Sequence, residues 1–160
     1  MEARALRLEL RLDARPHLVS VTRRFVEQAL QTLVDDADFV ARAAMAAHEL
    51  LENAAKYARQ GKAELSVVLS RAAGGTEELT LRLCNAASPD HIARLREIFS
   101  AIDGCADPLA MYVDLMRRNA HDLDMSGLGL ARIRAEGEMT LALDIDGEVA
   151  TIAARAPVPT

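Results

Sequence analysis

The sequence predicts an α+β fold, a two-layer sandwich in which a mixed sheet is covered by helices on one face. Leucines alternate with charged residues along residues 5–13, which is typical of a half-buried strand. Two hairpin patterns, at 62–85 and 138–153, flank segments with helical periodicity. Because strands and helices are segregated along the chain, an α+β two-layer sandwich is predicted. The length of 160 residues suits a single domain, which we predict to span residues 1–160.

Composition restricts the classes of partner. Half of the chain is hydrophobic (51%), and the formal net charge is −5, whereas nucleic-acid binding needs clustered lysines and arginines. No apolar run approaches the roughly 18 residues that suggest a membrane span. The two cysteines, Cys84 and Cys105, form neither a CxxC pair nor a metal-binding spacing. We therefore expect a cytoplasmic protein with neither a nucleic-acid nor a membrane partner.

The first half of the chain is expected to form one strand and two helices. After the strand at 5–13, Pro16 suits a first helical position, and apolar periodicity continues to about Val34. Asp35 and Asp36 can cap a second helix, which we predict from about residue 37 to 59. Gly61 then ends that helix.

The second half adds two hairpins with helices between them. Ser88 is a good N-cap for a third helix, and Asp107-Pro108 begins a fourth. A short fifth helix starts in Ser126–Leu130 and ends near Glu136, whereas the tail at 156–160 is expected to be loose. The strands are expected at 62–70, 78–85, 138–145 and 148–153, with Asp146-Gly147 as the tightest turn.

One face of the second predicted helix is polar. At about 100° per residue, Glu49, Asn53 and Lys56 fall close together, opposite an alanine- and leucine-rich stripe. An E-x-x-x-N-x-x-K pattern also occurs on ordinary solvated helices. Asparagine is a mediocre helix former, however, so its place among alanines calls for a reason. An amide oxygen is a suitable Mg²⁺ ligand, and a carboxylate one turn away can orient a reacting group.

The second motif is the glycine-containing segment Ser126-Gly127-Leu128-Gly129-Leu130. Glycine before a helix leaves backbone N–H groups free to face an anion, and the helix dipole adds to that attraction. Two glycines near a helix start also occur in simple turns. Together with the polar helix face, however, they predict a site for a metal and a phosphate.

These two motifs resemble the N box and the second glycine box of the GHKL ATPases, which share the Bergerat fold. The predicted order of elements resembles that fold from about Leu6 to Ala153. Within the superfamily, the chain is most similar to the anti-sigma-factor serine/threonine kinases, and in particular to SiaB-type kinases. The shared features are Asn85 after the middle strand, Tyr112 on a later helix and the G-L-G-L segment at 127–130.

The resemblance implies an ATP- and Mg²⁺-dependent kinase whose substrate is a Ser or Thr on a small partner protein of the anti-sigma-antagonist type. It implies Glu49 as the catalytic base or orienting acid and Asn53 as the Mg²⁺ ligand. The remaining nucleotide contacts that it implies are Lys56, Asn85, Ser126, Gly127, Leu128 and Gly129.

The chain departs from the superfamily at the Asp-x-Gly-x-Gly box, whose Asp reads the adenine amino group. The segment Leu83–Asp90 has neither the glycines nor an Asp in register. By analogy, Asn85 offers an amide in its place, or Asp90 reaches in from the next helix. This departure motivates one alternative, a degenerate domain that sequesters its partner, with or without nucleotide. A separate alternative is a purely structural or dimerisation domain, since an exposed apolar patch on the first two elements would suit a homodimer.

Overall fold

The computed structural model describes residues 5–71, 74–120 and 127–159. These described residues form five strands, β1 to β5, and five α-helices, α1 to α5, with a 3₁₀ turn at Arg59–Gly61 between α2 and β2. The elements are β1 Leu6–Asp13, α1 Pro16–Gln31, α2 Ala37–Tyr57, β2 Lys62–Arg71, β3 Glu77–Ala86, α3 Pro89–Asp103, α4 Pro108–Arg118, α5 Leu128–Ala135, β4 Thr140–Asp146 and β5 Val149–Pro157.

The strands form one sheet in the order β1-β2-β3-β5-β4. The predicted α+β class is confirmed. The expectation of mixed strand directions is wrong, because every neighbouring pair in the described sheet is antiparallel. In the last hairpin, β5 rather than β4 lies beside β3. The β3–β5 pair is therefore antiparallel.

The two faces of the sheet have different surroundings. Alternate residues of β2 and β3, such as Leu65, Val67 and Leu81, are buried in the core with residues of α1, α2, α3 and α5. The opposite face carries charged side chains, including the Arg11–Glu64 ion pair at 2.9 Å. The helices therefore cover one face only, as predicted, which is a common arrangement for antiparallel sheets.

Helix α2 lies on the inner face of the sheet. Its buried side includes Ala43, Ala47, Leu51 and Ala54, none of which is exposed, and α2 contacts both β2 and β3. Small side chains reduce the distance at which a helix packs against its neighbours. The alanine-rich stripe therefore seats α2 closely on the sheet and directs its opposite side towards α4 and α5.

Three helix starts are fixed by side-chain caps at the predicted positions. The backbone N–H of Phe39 donates to Asp36 (2.7 Å), that of His91 to Ser88 (3.2 Å) and that of Ala110 to Asp107 (3.0 Å). Each bond satisfies an N–H group that has no partner within its helix. These caps set where α2, α3 and α4 begin.

The C-terminal segment corrects one expectation. Residues 156–158 are not loose: β5 extends to Pro157, and the Val158 N–H donates to the carbonyl oxygen of Glu77 (2.8 Å). The Val158 side chain is also buried, because the alternation of β5 continues along β3. Within the described ranges, no helix is long and apolar enough to cross a membrane.

Gly137, in the turn between α5 and β4, generates a stability prediction. A Cβ atom at this position would overlap the backbone carbonyl oxygen of Ile133, which cannot rotate away as a side chain would. We expect Gly137→Ala to lower the free energy of unfolding by about 1–3 kcal/mol, the usual cost of overpacking. Urea unfolding measures the change.

Gly74→Ala is the matched control, because its Cβ would have only the Thr76 hydroxyl nearby, at 3.9 Å. If the urea-unfolding curves of Gly137→Ala and Gly74→Ala had equal midpoints and slopes, the prediction would be contradicted.

Candidate functional site

A cleft of about 220 Å³ lies between α2, α4 and the start of α5. It brings together six of the predicted site residues: Glu49, Asn53, Lys56, Gly127, Leu128 and Gly129. Five further residues line it: Glu52, Tyr57, Tyr112, Leu130 and Arg132. Two motifs that are far apart in the sequence thus form a single surface.

The glycine at the start of α5 has a structural cause. Gly127 is the N-cap and has a φ of 110°, which is unfavourable for residues with a side chain. A Cβ there would also lie 3.2 Å from the Ile98 side chain of α3. Gly127 therefore allows α5 to begin while packed against α3.

The second glycine permits a close approach between α5 and α2. A Cβ on Gly129 would lie 2.5 Å from the Glu49 carboxylate oxygen Oε2. A negatively charged oxygen therefore lies against the first turn of α5, where unpaired N–H groups and the helix dipole favour an anion. The missing side chain leaves space for such an oxygen, and Glu49 supplies it.

Arg132 holds the other oxygen of the same carboxylate. Its Nη1 donates to Glu49 Oε1 at 2.9 Å, and its Nε donates to Glu136 Oε2 at 2.7 Å. The Glu136 hydrogen bond is the largest influence raising the pKa of Arg132, and the Glu49 hydrogen bond adds to it. The Glu49 side chain is only 15% exposed and that of Arg132 is 40% exposed, so this ion pair lies at the inner wall of the cleft.

Two aromatic residues line the cleft. Tyr112 is the buried residue of α4, and desolvation is the main cause that raises its pKa, followed by the charge of Glu136. Its hydroxyl therefore stays protonated at neutral pH. The Tyr57 ring stacks on His91, with 4.1 Å between ring centroids and 13° between planes.

His91, the other ring of this stack, lies at the start of α3. It is 7% exposed, and burial lowers the pKa of its imidazole. Among the residues that the structure describes, its buried Nε2 has no hydrogen-bond partner. The neutral imidazole is therefore the favoured form in the folded protein.

The structure places Asn85 away from the cleft. Its side-chain nitrogen donates to the Ala86 carbonyl oxygen at 3.0 Å, and the residue lines a separate cavity of about 560 Å³ with Arg11 and Val149. Asp90, the other candidate for base recognition, is exposed in the first turn of α3 and is not among the residues that line the cleft. Ser126 lies outside the described residues.

Some of the lining residues carried a signal in the sequence. Tyr57 follows Asn53 by four positions and Arg132 follows Gly129 by three, so helical spacing predicts that each shares a face with its neighbour. No such pattern connects Tyr112 to α2 or α5, because only the packing of α4 brings it there.

The donor set fits magnesium bound with phosphate better than magnesium bound by the protein alone. Within the described ranges, no group of three or more His, Cys, Asp or Glu residues is positioned to hold a metal ion. The cleft instead offers the Asn53 amide with the carboxylates of Glu49 and Glu52, beside the cationic side chains of Lys56 and Arg132. Mg²⁺ commonly takes only one or two protein ligands and completes its shell with phosphate oxygens and water.

Comparison with known proteins gives a structural likeness only. No family model and no curated protein matches this chain. A solved structure does: a chain of the SiaB–SiaC complex from Pseudomonas aeruginosa superposes with a TM-score of 0.67 at 17% sequence identity. The match covers 94% of this chain and 89% of that chain. The two chains share a fold.

The buried imidazole of His91 gives a pH prediction. Because its pKa is lowered on folding, the unfolded chain binds more protons below about pH 6.5, and the free energy of unfolding should fall as the pH drops below that value. His91→Phe keeps a ring against Tyr57 but cannot titrate. We expect the wild type to lose more stability than His91→Phe between pH 7.5 and 5.5 in urea unfolding.

His17→Gln is the control, since His17 is exposed on α1. It should follow the wild-type pH dependence. If His91→Phe follows it as well, the assignment of this dependence to His91 is wrong.

Proposed function

We propose that this chain is the kinase member of a partner-switching pair, which binds Mg-ATP in the α2–α5 cleft and phosphorylates a Ser or Thr of a small protein of the anti-sigma-antagonist type. One observation carries the proposal. The polar face of α2 and the glycine-containing start of α5 meet in the same cleft, although Glu49 and Arg132 are 83 positions apart in the chain.

The residues of the cleft have distinct roles in this proposal. Asn53 offers the amide oxygen for magnesium, and Lys56 and the N–H groups at the start of α5 face the phosphates. Glu49 accepts the proton of the incoming hydroxyl or holds that hydroxyl in line. Mg-ATP supplies the transferred phosphoryl group, and such transfer depends mainly on positioning and charge stabilisation.

The likeness to a chain of the SiaB–SiaC complex supports a protein partner, because that structure is an assembly of two different proteins. That likeness extends over 94% of this chain. The acidic net charge of −5 is also consistent with a protein rather than a nucleic acid as partner.

A second candidate function is partner sequestration without catalysis. The Glu49 carboxylate is engaged by Arg132, and Asn85 lies in a different cavity. The cleft of about 220 Å³ is also smaller than the roughly 300–1,000 Å³ of most ligand pockets. A domain that binds its partner protein without using the cleft for a nucleotide would have an engaged Glu49, a distant Asn85 and a small cleft.

The nucleotide part of the proposal is tested by calorimetry with Mg²⁺ and a non-hydrolysable ATP analogue. We expect Asn53→Ala to weaken binding at least tenfold in Mg²⁺, since a metal ligand is lost, and to have a smaller effect in EDTA. Gln28→Ala, which removes an exposed amide from α1, is the matched control and should bind as the wild type. Equal affinities for all three proteins in Mg²⁺ would exclude Asn53 as the ligand.

The two candidate functions are separated by adding [γ-³²P]ATP to this chain together with each small anti-sigma-antagonist-type protein encoded in the same genome. A kinase transfers label to one of them. Glu49→Gln reduces the rate by about 100-fold or more, since 100-fold is the low end for general-base loss, and Asn53→Ala reduces it at least tenfold. A sequestering domain instead forms a stable unlabelled complex that both variants retain on size-exclusion chromatography.

A further inference from the structure

Arg132 is a cation of the cleft that no motif contains. Its guanidinium has five N–H donors, of which one contacts Glu49 and another contacts Glu136. The side chain is 40% exposed, so part of the fork is open to the cleft. Within the part of the chain that the structure describes, its other N–H groups have no hydrogen-bond partner. A planar cation with such donors beside a helix start is well suited to a phosphate group.

Glu49 occupies the position where such an anion would be held. One carboxylate oxygen accepts from Arg132, and the other lies against Gly129 at the first turn of α5. The Arg132 contact is one that a phosphate oxygen would make. The other oxygen lies beside the Gly129 Cα, at a helix N-terminus, which is a position that attracts anions. The carboxylate is therefore an internal substitute for an external anion.

An external phosphate has an advantage in this competition. A terminal phosphate carries about −1.5 to −2 charge and three acceptor oxygens, whereas Glu49 carries one negative charge. It can accept two parallel hydrogen bonds from the guanidinium, whereas a single Arg132 nitrogen donates to Glu49. The retained Glu136 contact keeps Arg132 at the wall of the cleft during such an exchange.

We propose that Arg132 is the anion-binding residue of this cleft and that it exchanges Glu49 for a phosphate group of the ligand, so that phosphate binding frees the Glu49 carboxylate. The inference rests on the proposed function for the identity of the ligand, a phosphate chain. In this inference, Arg132 contacts the phosphate chain of the ligand, and the Glu49–Arg132 ion pair belongs to the ligand-free protein.

The test uses inorganic tripolyphosphate in EDTA, which presents a phosphate chain with neither base nor metal. By calorimetry, Arg132→Gln should bind it at least tenfold more weakly than the wild type. Glu49→Gln should bind it severalfold more tightly, because the competing carboxylate is gone and Arg132 is free. If the ion pair were purely structural, Arg132→Gln and Glu49→Gln would not change the affinity for tripolyphosphate in opposite directions.

Arg134→Gln is the matched control, since it removes a positive charge from the same helix at a residue outside the cleft lining. It should bind tripolyphosphate within about twofold of the wild type, and a thermal melt of each variant confirms folding. In ¹H–¹⁵N spectra, the Arg132 Nε–H signal should shift with tripolyphosphate in the wild type. Without ligand, the chemical shift of this Nε–H signal should differ between Glu49→Gln and the wild type.

The inference is overturned if Arg132→Gln and Arg134→Gln bind equally, if Glu49→Gln binds more weakly than the wild type, or if neither the wild type nor Glu49→Gln binds tripolyphosphate. The nucleotide proposal can fail separately. Tripolyphosphate binding with the expected signs, but no binding of Mg-ATP, supports Arg132 as the anion site and rejects the nucleotide. If Arg132→Gln and the wild type bind Mg-ATP equally, the nucleotide proposal is supported and Arg132 is rejected as the anion site.

Discussion

The packing of α2 on the sheet is the constraint on which the fold and the cleft both depend. Its alanine-rich side lies against β2 and β3, so the helix has one orientation about its axis. A rotation of α2 would expose Ala47 and Leu51 and bury Glu49, which would cost both apolar burial and charge desolvation. The hydrophobic core thus determines that Glu49, Asn53 and Lys56 face α4 and α5.

The start of α5 completes the arrangement through the absence of two side chains. Gly127 adopts a φ of 110° against Ile98, and Gly129 lets the Glu49 carboxylate reach the helix N-terminus. The same glycines that the sequence suggested as phosphate contacts therefore have packing reasons in the folded chain. The two roles are compatible, because an oxygen atom occupies the space beside Gly129 in either case.

Sequence periodicity predicted the five helices and five strands with small errors at their ends, because their alternation and caps are local properties. The errors arose where pairing with a distant strand decided the outcome. Residues 156–158 are ordered because β3 offers partners such as Glu77, and the sheet is antiparallel because β5 returns beside β3. Asn85 was grouped with the cleft by resemblance, but the backbone of β3 carries it to another cavity.

The sequence by itself determined which side of α2 is polar, where the helices begin and which glycines lie at the start of α5, since each follows from spacing and local hydrogen bonding. Only the tertiary structure decided that Arg132 holds Glu49, that Tyr112 closes one wall and that Asn85 lies elsewhere. These are contacts between elements far apart in the chain, and they depend on the relative positions of packed helices, which no local pattern encodes.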